Sequence, residues 1–483
     1  MRIAIVHYHL QPGGVTRVIE HAVRALDGGE ERLLLLTGQA PETPLPAPTV
    51  VVPELAYDTR RPADPRRLLE GLLEATRRHW GEPPDLWHVH NPSLGKNTAL
   101  PEVLWRLIER GQRLVLQPHD FAEDGRPANY LRLRRAHARL RPATPWEHWL
   151  YPASQGVVYA PINPRDAAFL RAAGLPEARC FLLSNPVEIP PGKVVDNPVD
   201  VPVDNGRLWL YPTRAIRRKN LGEFLLWSVL GEEGDRFGLT LSPRNPQERP
   251  VYEAWKAFAA ECRLPVTFEL GEGGCDFPDL VARAYALVTT SITEGFGMAY
   301  LESWSLGRPL VGRDLPEITA HFRAEGLRLG HLYPRCEVPL EWIDPTALEY
   351  AVRTALDRLS QAYGVPPFDE AARARVYAAW VREGRIDFGR LDEPLQRTVL
   401  RRLVDSSAAR SEVHPPFPRL PDSEDLRHNR EVVAVHHGLE AYARALRLLY
   451  RRTLEDRAPP ARVDAGQVLS AFLAPERLWL LRT

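Results

Sequence analysis

The chain has almost no lysine. Lys96, Lys193, Lys219 and Lys256 are its only lysines, and arginine supplies the remaining cations among 62 Lys and Arg residues. An equal number of Asp and Glu residues brings the formal net charge to zero, which removes the broad basic surface of a nucleic-acid binder. Cys180, Cys262, Cys275 and Cys336 are widely spaced with no paired motif, so neither a disulfide framework nor a cysteine zinc site is expected. No run of 18 apolar residues occurs, which argues against a membrane span, and Met1-Arg-Ile-Ala-Ile-Val enters a strand pattern at once rather than a leader. The dinucleotide string Gly-x-Gly-x2-Gly is missing, which argues against a nicotinamide or flavin enzyme. No Glu, Asp and His group has metal-ligand spacing, so no catalytic metal is expected.

What is present describes a globular α/β protein. Hydrophobic residues make up 44% and charged residues 26% of 483, too long a chain for one core. Short apolar runs at Arg2–His7, Arg32–Leu36, Asp85–His90, Arg113–Gln117 and Gly156–Tyr159 alternate with helical stretches, and Cys180–Leu183 reads as a last strand. Alternation restarts at Leu208–Tyr211 and continues through Gly238–Leu241, Val266–Leu270, Leu287–Thr290 and Leu310–Gly312. Such alternation builds doubly wound parallel sheets. The expected division is a first Rossmann-like domain over 1–187, a proline-rich linker over 188–206, a second Rossmann-like domain over 207–383 and a helical extension over 384–483. In the extension, 438–455 holds an amphipathic helix expected to brace the first domain, and Ser406–Arg430 reads as an exposed loop.

The most informative stretch is Ser291–Leu310, with Glu294 and Glu302 eight residues apart and a Gly-Phe-Gly turn after the first. A buried strand precedes it and a helix follows, so Glu294 falls on the strand-to-helix loop and Glu302 on the early helix. Amides of Gly295, Phe296, Gly297 and Met298 are expected to face the crevice, where they suit a phosphate while the carboxylates suit sugar hydroxyls. Arg214 and Lys219 follow the Leu208–Tyr211 strand and are expected to converge on one anion. Gly13 and Gly14 follow the first strand, where glycine lets backbone approach a ligand. His119 and Asp120 end a strand, whereas His88 and His90 are expected to pack or hydrogen-bond within the sheet.

Taken together, Gly13-Gly14, His119-Asp120, Ser184-Asn-Pro-Val187, Arg214-x4-Lys219 and Ser291-x2-Glu-Gly-Phe-Gly-x4-Glu302-x4-Gly-x-Pro resemble the motifs of family-4 retaining glycosyltransferases over residues 1–380. The resemblance implies a GT-B fold, two Rossmann-like domains facing across a cleft, and a metal-independent hexosyltransferase that uses a nucleoside-diphosphate sugar as co-substrate and no cofactor. It implies His119, Arg214, Lys219 and Glu294 as catalytic, and Gly13, Gly14, Gly295, Phe296, Gly297, Met298 and Glu302 as donor-binding. It departs from the family at Arg313–Ile318, where only Pro316 and Glu317 match, leaving sugar recognition there open. An arginine-rich segment after His119-Asp120 reads as a solvated basic helix or, functionally, as a contact for an anionic acceptor or a membrane surface, in a cytoplasmic protein that is peripheral at most. A homodimer contact by the tail is a further expectation. The competing readings are a nucleotide-sugar epimerase of the same fold and a non-catalytic carbohydrate- or nucleotide-binding protein.

Overall fold

A computed structural model of the chain describes residues 1–59, 61–189, 206–272, 274, 276–415 and 419–483. Cys275 and most of the expected linker lie outside the described residues.

The first sheet contains β1 (Arg2–His7), β2 (Arg32–Thr37), β3 (Thr49–Val51), β4 (Leu86–His90), β5 (Leu114–Gln117) and, after the short β6 (Pro152–Ala153), β7 (Val157–Tyr159). Its order is β3-β2-β1-β4-β5-β7 with parallel pairing throughout. Strands such as Ile3-Ala-Ile-Val6 are buried on both faces, as parallel strands covered by crossover helices must be. Strand order reverses between β1 and β4, and loops at the carboxyl ends of that pair frame the position where such sheets take ligands. Cys180–Leu183 is not a strand; it contributes one bridge, from Cys180 to Tyr159.

The second sheet has the same logic. β8 (Leu208–Arg214), β9 (Arg236–Leu241), β10 (Val266–Thr267), β11 (Ala286–Thr289) and β12 (Leu310–Gly312) are ordered β10-β9-β8-β11-β12, all parallel. The reversal falls between β8 and β11, the strands that deliver the Arg-x4-Lys and glutamate motifs.

Two compact units result. One holds Met1–Glu188 and His436–Leu473, the other Ile189–Val435 and Ala474–Thr483. The Leu439–Glu455 helix lies in the first unit, with Tyr442, Leu446, Leu449 and Tyr450 buried among Val18, Ile19 and Val23 of the Gly14–Leu26 helix. Residues 384–435, expected as part of an extension, belong to the second unit. Arg313 is one reason. Completely buried, it reaches Glu223 at 2.5 Å and Asp387 at 2.8 Å, which ties the Arg385–Asp387 strand into that unit. Ser406–Arg430 is only partly loop: a helix runs over Ser423–His437, its start capped by Asp422 accepting from the Asp425 amide at 2.8 Å. Among the described residues, no helix is long and apolar enough to cross a membrane.

Candidate functional site

Because β8 and β11 are neighbours, the loops after them meet, and hydrogen bonds stitch them together. The Thr290 hydroxyl donates to the carbonyls of Lys219 at 2.9 Å and Asn220 at 3.1 Å, and the Ile292 amide donates to the Arg218 carbonyl at 3.0 Å. Tyr211 donates to the Lys219 carbonyl at 3.1 Å from beneath. Asn220, at φ 50°, turns the chain into the Leu221–Leu230 helix, and this bend fixes where the three preceding basic residues point.

They diverge. Arg217 turns to Glu393 at 2.7 Å and to the Thr483 carbonyl at 2.9 Å, away from the site. Arg218 Nη1 donates to Glu294 Oε2 at 2.9 Å and to the Thr293 carbonyl at 2.8 Å. Lys219 Nζ pairs with Glu294 Oε1. Burial opposes charge on Glu294, but the Lys219 ammonium and then the Arg218 guanidinium outweigh it and hold the carboxyl well below the usual carboxylate range. Burial draws the Lys219 ammonium below the ordinary lysine value against the pull of Glu294. Two cations on one carboxylate leave an excess of positive charge that can hold an anion, with Lys219 and Glu294 mostly buried and Arg218 37% exposed. Arg214 stands apart. Its guanidinium donates to the Ser242 carbonyl at 2.7 Å at the end of β9, and it makes no hydrogen bond or ion pair with the Lys219–Glu294 cluster among the described residues.

Downstream, Gly297 has φ 88°, and a Cβ there would sit 2.8 Å from the Tyr300 ring and 2.9 Å from Ile318. Phe296 is buried edge-on against Phe322, 5.6 Å between ring centroids, so it anchors the loop from the core side. The helix carrying Glu302, Ala299–Ser305, has seven residues, with Met298 as its N-cap. Two turns make a weak dipole, so cations rather than helix amides dominate the anion site. Arg313, at the family-divergent loop, is a core ion-pair residue, and Glu317 pairs with Arg477.

In the first unit, the ends of β1, β4 and β5 gather histidines. His90 Nδ1 lies 2.8 Å from His119 Nε2, and the rings stack 5.1 Å apart. His88 uses both ring nitrogens, on Tyr450 at 3.0 Å and Gln117 at 2.9 Å. Asn91, at φ 54°, accepts from the amides of His119 at 2.8 Å and Asp120 at 3.0 Å, so it holds the His-Asp corner in place. Burial, reinforced by His88, pulls His119 down to about 3, and burial likewise takes His7 to about 3. At neutral pH His119 therefore offers a hydrogen bond and no charge. Gly13 and Gly14 line a cavity of about 510 Å³ with Leu10, Arg17 and Leu45. A Cβ on Gly14 would meet nothing within 4 Å, so internal packing does not demand glycine there.

Sequence reasoning missed Arg218 and Asn91. Nothing in a run of three bases says which one faces the glutamate, whereas an asparagine directly after a strand is a recognised signal for a left-handed turn.

The architecture, two doubly wound units with their motifs at the switch points, is that of the GT-B glycosyltransferases. Residues 13–186 match the model of the glycosyl transferase 4-like domain. Among curated proteins, the chain is similar to mannosylglucosyl-3-phosphoglycerate synthase of Petrotoga mobilis, 29% identical over 334 residues; the match covers 62% of this chain and 62% of that relative's length. Among solved structures, sucrose-phosphate synthase of Thermosynechococcus elongatus aligns with TM-score 0.52 at 16% identity over 93% of this chain and 98% of that one. HepE of Anabaena in complex with UDP-glucose gives 0.51 at 14% over 93% and 100%. The catalytic domain of starch synthase IV of Arabidopsis thaliana, bound to ADP and acarbose, gives 0.52 at 13% over 94% and 99%. At these identities the structural likeness is one of fold.

Proposed function

We propose that the protein transfers a hexosyl group from a nucleoside-diphosphate sugar to a hydroxyl acceptor with retention of anomeric configuration. The observation that carries this is the net-positive Arg218–Lys219–Glu294 cluster at the switch point of the second sheet. Sugar transfer needs charge neutralised on a departing diphosphate, and cations already gathered at the site supply it. Solved proteins of this fold with UDP-glucose or ADP bound support the reading.

Glu294 is the counterion of Lys219. A donor's diphosphate replaces it there, and the released carboxylate oxygen accepts hydrogen bonds from sugar hydroxyls. Glu302 takes the ribose hydroxyls, and neutral His119 has a hydrogen bond to offer a sugar hydroxyl. The bond from the anomeric carbon to the diphosphate breaks, the acceptor oxygen takes that carbon on the same face, and the acceptor proton goes to the leaving diphosphate. Arg214 adds long-range positive potential from the end of β9. With cations in this role no metal is required, and chelator leaves turnover unchanged.

The test is turnover of UDP-, GDP- and ADP-hexoses, with the product's anomeric configuration read by NMR. Lys219→Ala and Arg218→Ala are expected to lower kcat about 100-fold or more, in the range of losing one charge-stabilising donor, while circular dichroism stays unchanged. An inverted product, or wild-type turnover by both folded variants, contradicts the proposal.

A further inference from the structure

A second set of cations stands in the first unit, and nothing described above uses it. Lys96, one of four lysines, sits in the loop after β4. Gly95 beside it has φ 73°, and a Cβ there would lie 2.8 Å from the Asn129 carbonyl and 3.0 Å from Leu133. Only glycine lets this loop rest on the Pro127–Leu140 helix. Asn129 fastens the same contact by donating to the Leu94 carbonyl at 3.0 Å and accepts from Arg132 Nη2 at 2.5 Å. The loop and helix thus bring Lys96 into the neighbourhood of Arg132; burial first, then the Arg132 and Arg126 guanidiniums, draw its ammonium below the ordinary lysine value against the weaker pull of Asp120.

The carboxylates nearby are committed elsewhere. Asp120 pairs with Arg126 at 2.5 Å, and Asp58 accepts from the Thr98 amide at 2.9 Å and hydroxyl at 2.6 Å. Among the described residues neither Lys96 nor Arg132 has a carboxylate partner, and Arg132 Nε is buried with no hydrogen bond. Like charges held together by a built contact, with a buried donor unused, await an anion. Tyr57 borders the site. Its ring lies 5.2 Å from the Lys96 ammonium, its hydroxyl is 3.0 Å from His9 Nε2, and at 36% exposure part of it reaches solvent beside the cations.

We infer that Lys96 and Arg132 bind a phosphate group on the acceptor, with Tyr57 against the acceptor's adjoining sugar. The inference rests on the glycosyl-transfer reading for the word acceptor, but the anion site stands on its own geometry. A guanidinium and an ammonium on one loop–helix contact suit the oxygens of a phosphate monoester, and the acceptor class is then a phosphorylated sugar or sugar-like polyol.

The test is calorimetric titration with inorganic phosphate in an Arg218→Ala/Lys219→Ala background, which silences the second unit's cluster. Phosphate binding is expected to persist there, to weaken about tenfold or more on adding Lys96→Gln or Arg132→Gln, and to survive Lys96→Arg. Each variant is first checked for a wild-type melting curve. No phosphate binding in the background, or binding indifferent to both glutamine substitutions, overturns the site. Titration of nucleoside diphosphates into Lys96→Gln alone judges the parent reading separately. Unchanged nucleotide affinity with lost phosphate binding supports both, whereas phosphate binding without any nucleotide binding supports the anion site and removes the transfer reading.

Discussion

Lys219 and Glu294 pair with each other, and that pairing decides how the motif residues are to be read. The sequence strings named both but could not show that they touch, because contact depends on the order of strands in the sheet. Arg218 was illegible for a related reason: which of Arg217, Arg218 and Lys219 faces Glu294 is set by the backbone bend at Asn220. Another buried carboxylate gives a test at this scale. Glu123 is fully buried and accepts from Tyr151 at 3.0 Å; burial pushes its carboxyl up from 4.5 to about 7. A carboxyl whose folded value is raised stays protonated in the native state, so stability is lost as pH climbs from the unfolded value through about 7. The rise corresponds to about 3 kcal/mol. Glu123→Gln is therefore expected to melt close to wild type at pH 5 and clearly above it at pH 8.5. A melting difference that does not grow between those two pH values contradicts the assignment.

At the scale of elements, most of the fold was legible because strand and helix periodicities alternate cleanly. Where the signal was thin, it failed. The Ser423–His437 helix carries few apolar residues beyond Leu426, Val432 and Val433, so its polar sequence read as loop. The short antiparallel strands Glu337–Pro339 and Arg385–Asp387 are held by the buried Arg313 network rather than by any alternating pattern. Two glycine loops allow a contrast. Gly297→Ala forces a side chain into φ 88° and against Tyr300, and is expected to lower both the melting temperature and nucleotide affinity; the left-handed backbone alone costs about 1–2 kcal/mol. Gly14→Ala adds a methyl to open space and is expected to leave melting unchanged while weakening whatever ligand occupies that cavity. Equal melting losses for the two variants would show that the open space beside Gly14 is not as described.

At the scale of the whole molecule, the chain is two units, each a parallel sheet whose strand order reverses once, with candidate site residues on the loops there. The amphipathic pattern near 438–455 marked a helix correctly, and the burial of Leu446 and Tyr450 against the Gly14–Leu26 helix explains that pattern. The final residues were unreadable, because a ten-residue tail has too little periodicity to show that Ala474–Thr483 rejoins the second unit. Both switch points take their meaning from one claim, that the second unit's cluster holds a nucleoside diphosphate. Isothermal titration of UDP, GDP and ADP into wild-type and Lys219→Ala protein tests it most directly. At least one of the three should bind the wild type with a micromolar dissociation constant and bind the folded Lys219→Ala variant at least tenfold more weakly. If none binds, or if Lys219→Ala binds as tightly as wild type, the claim is wrong.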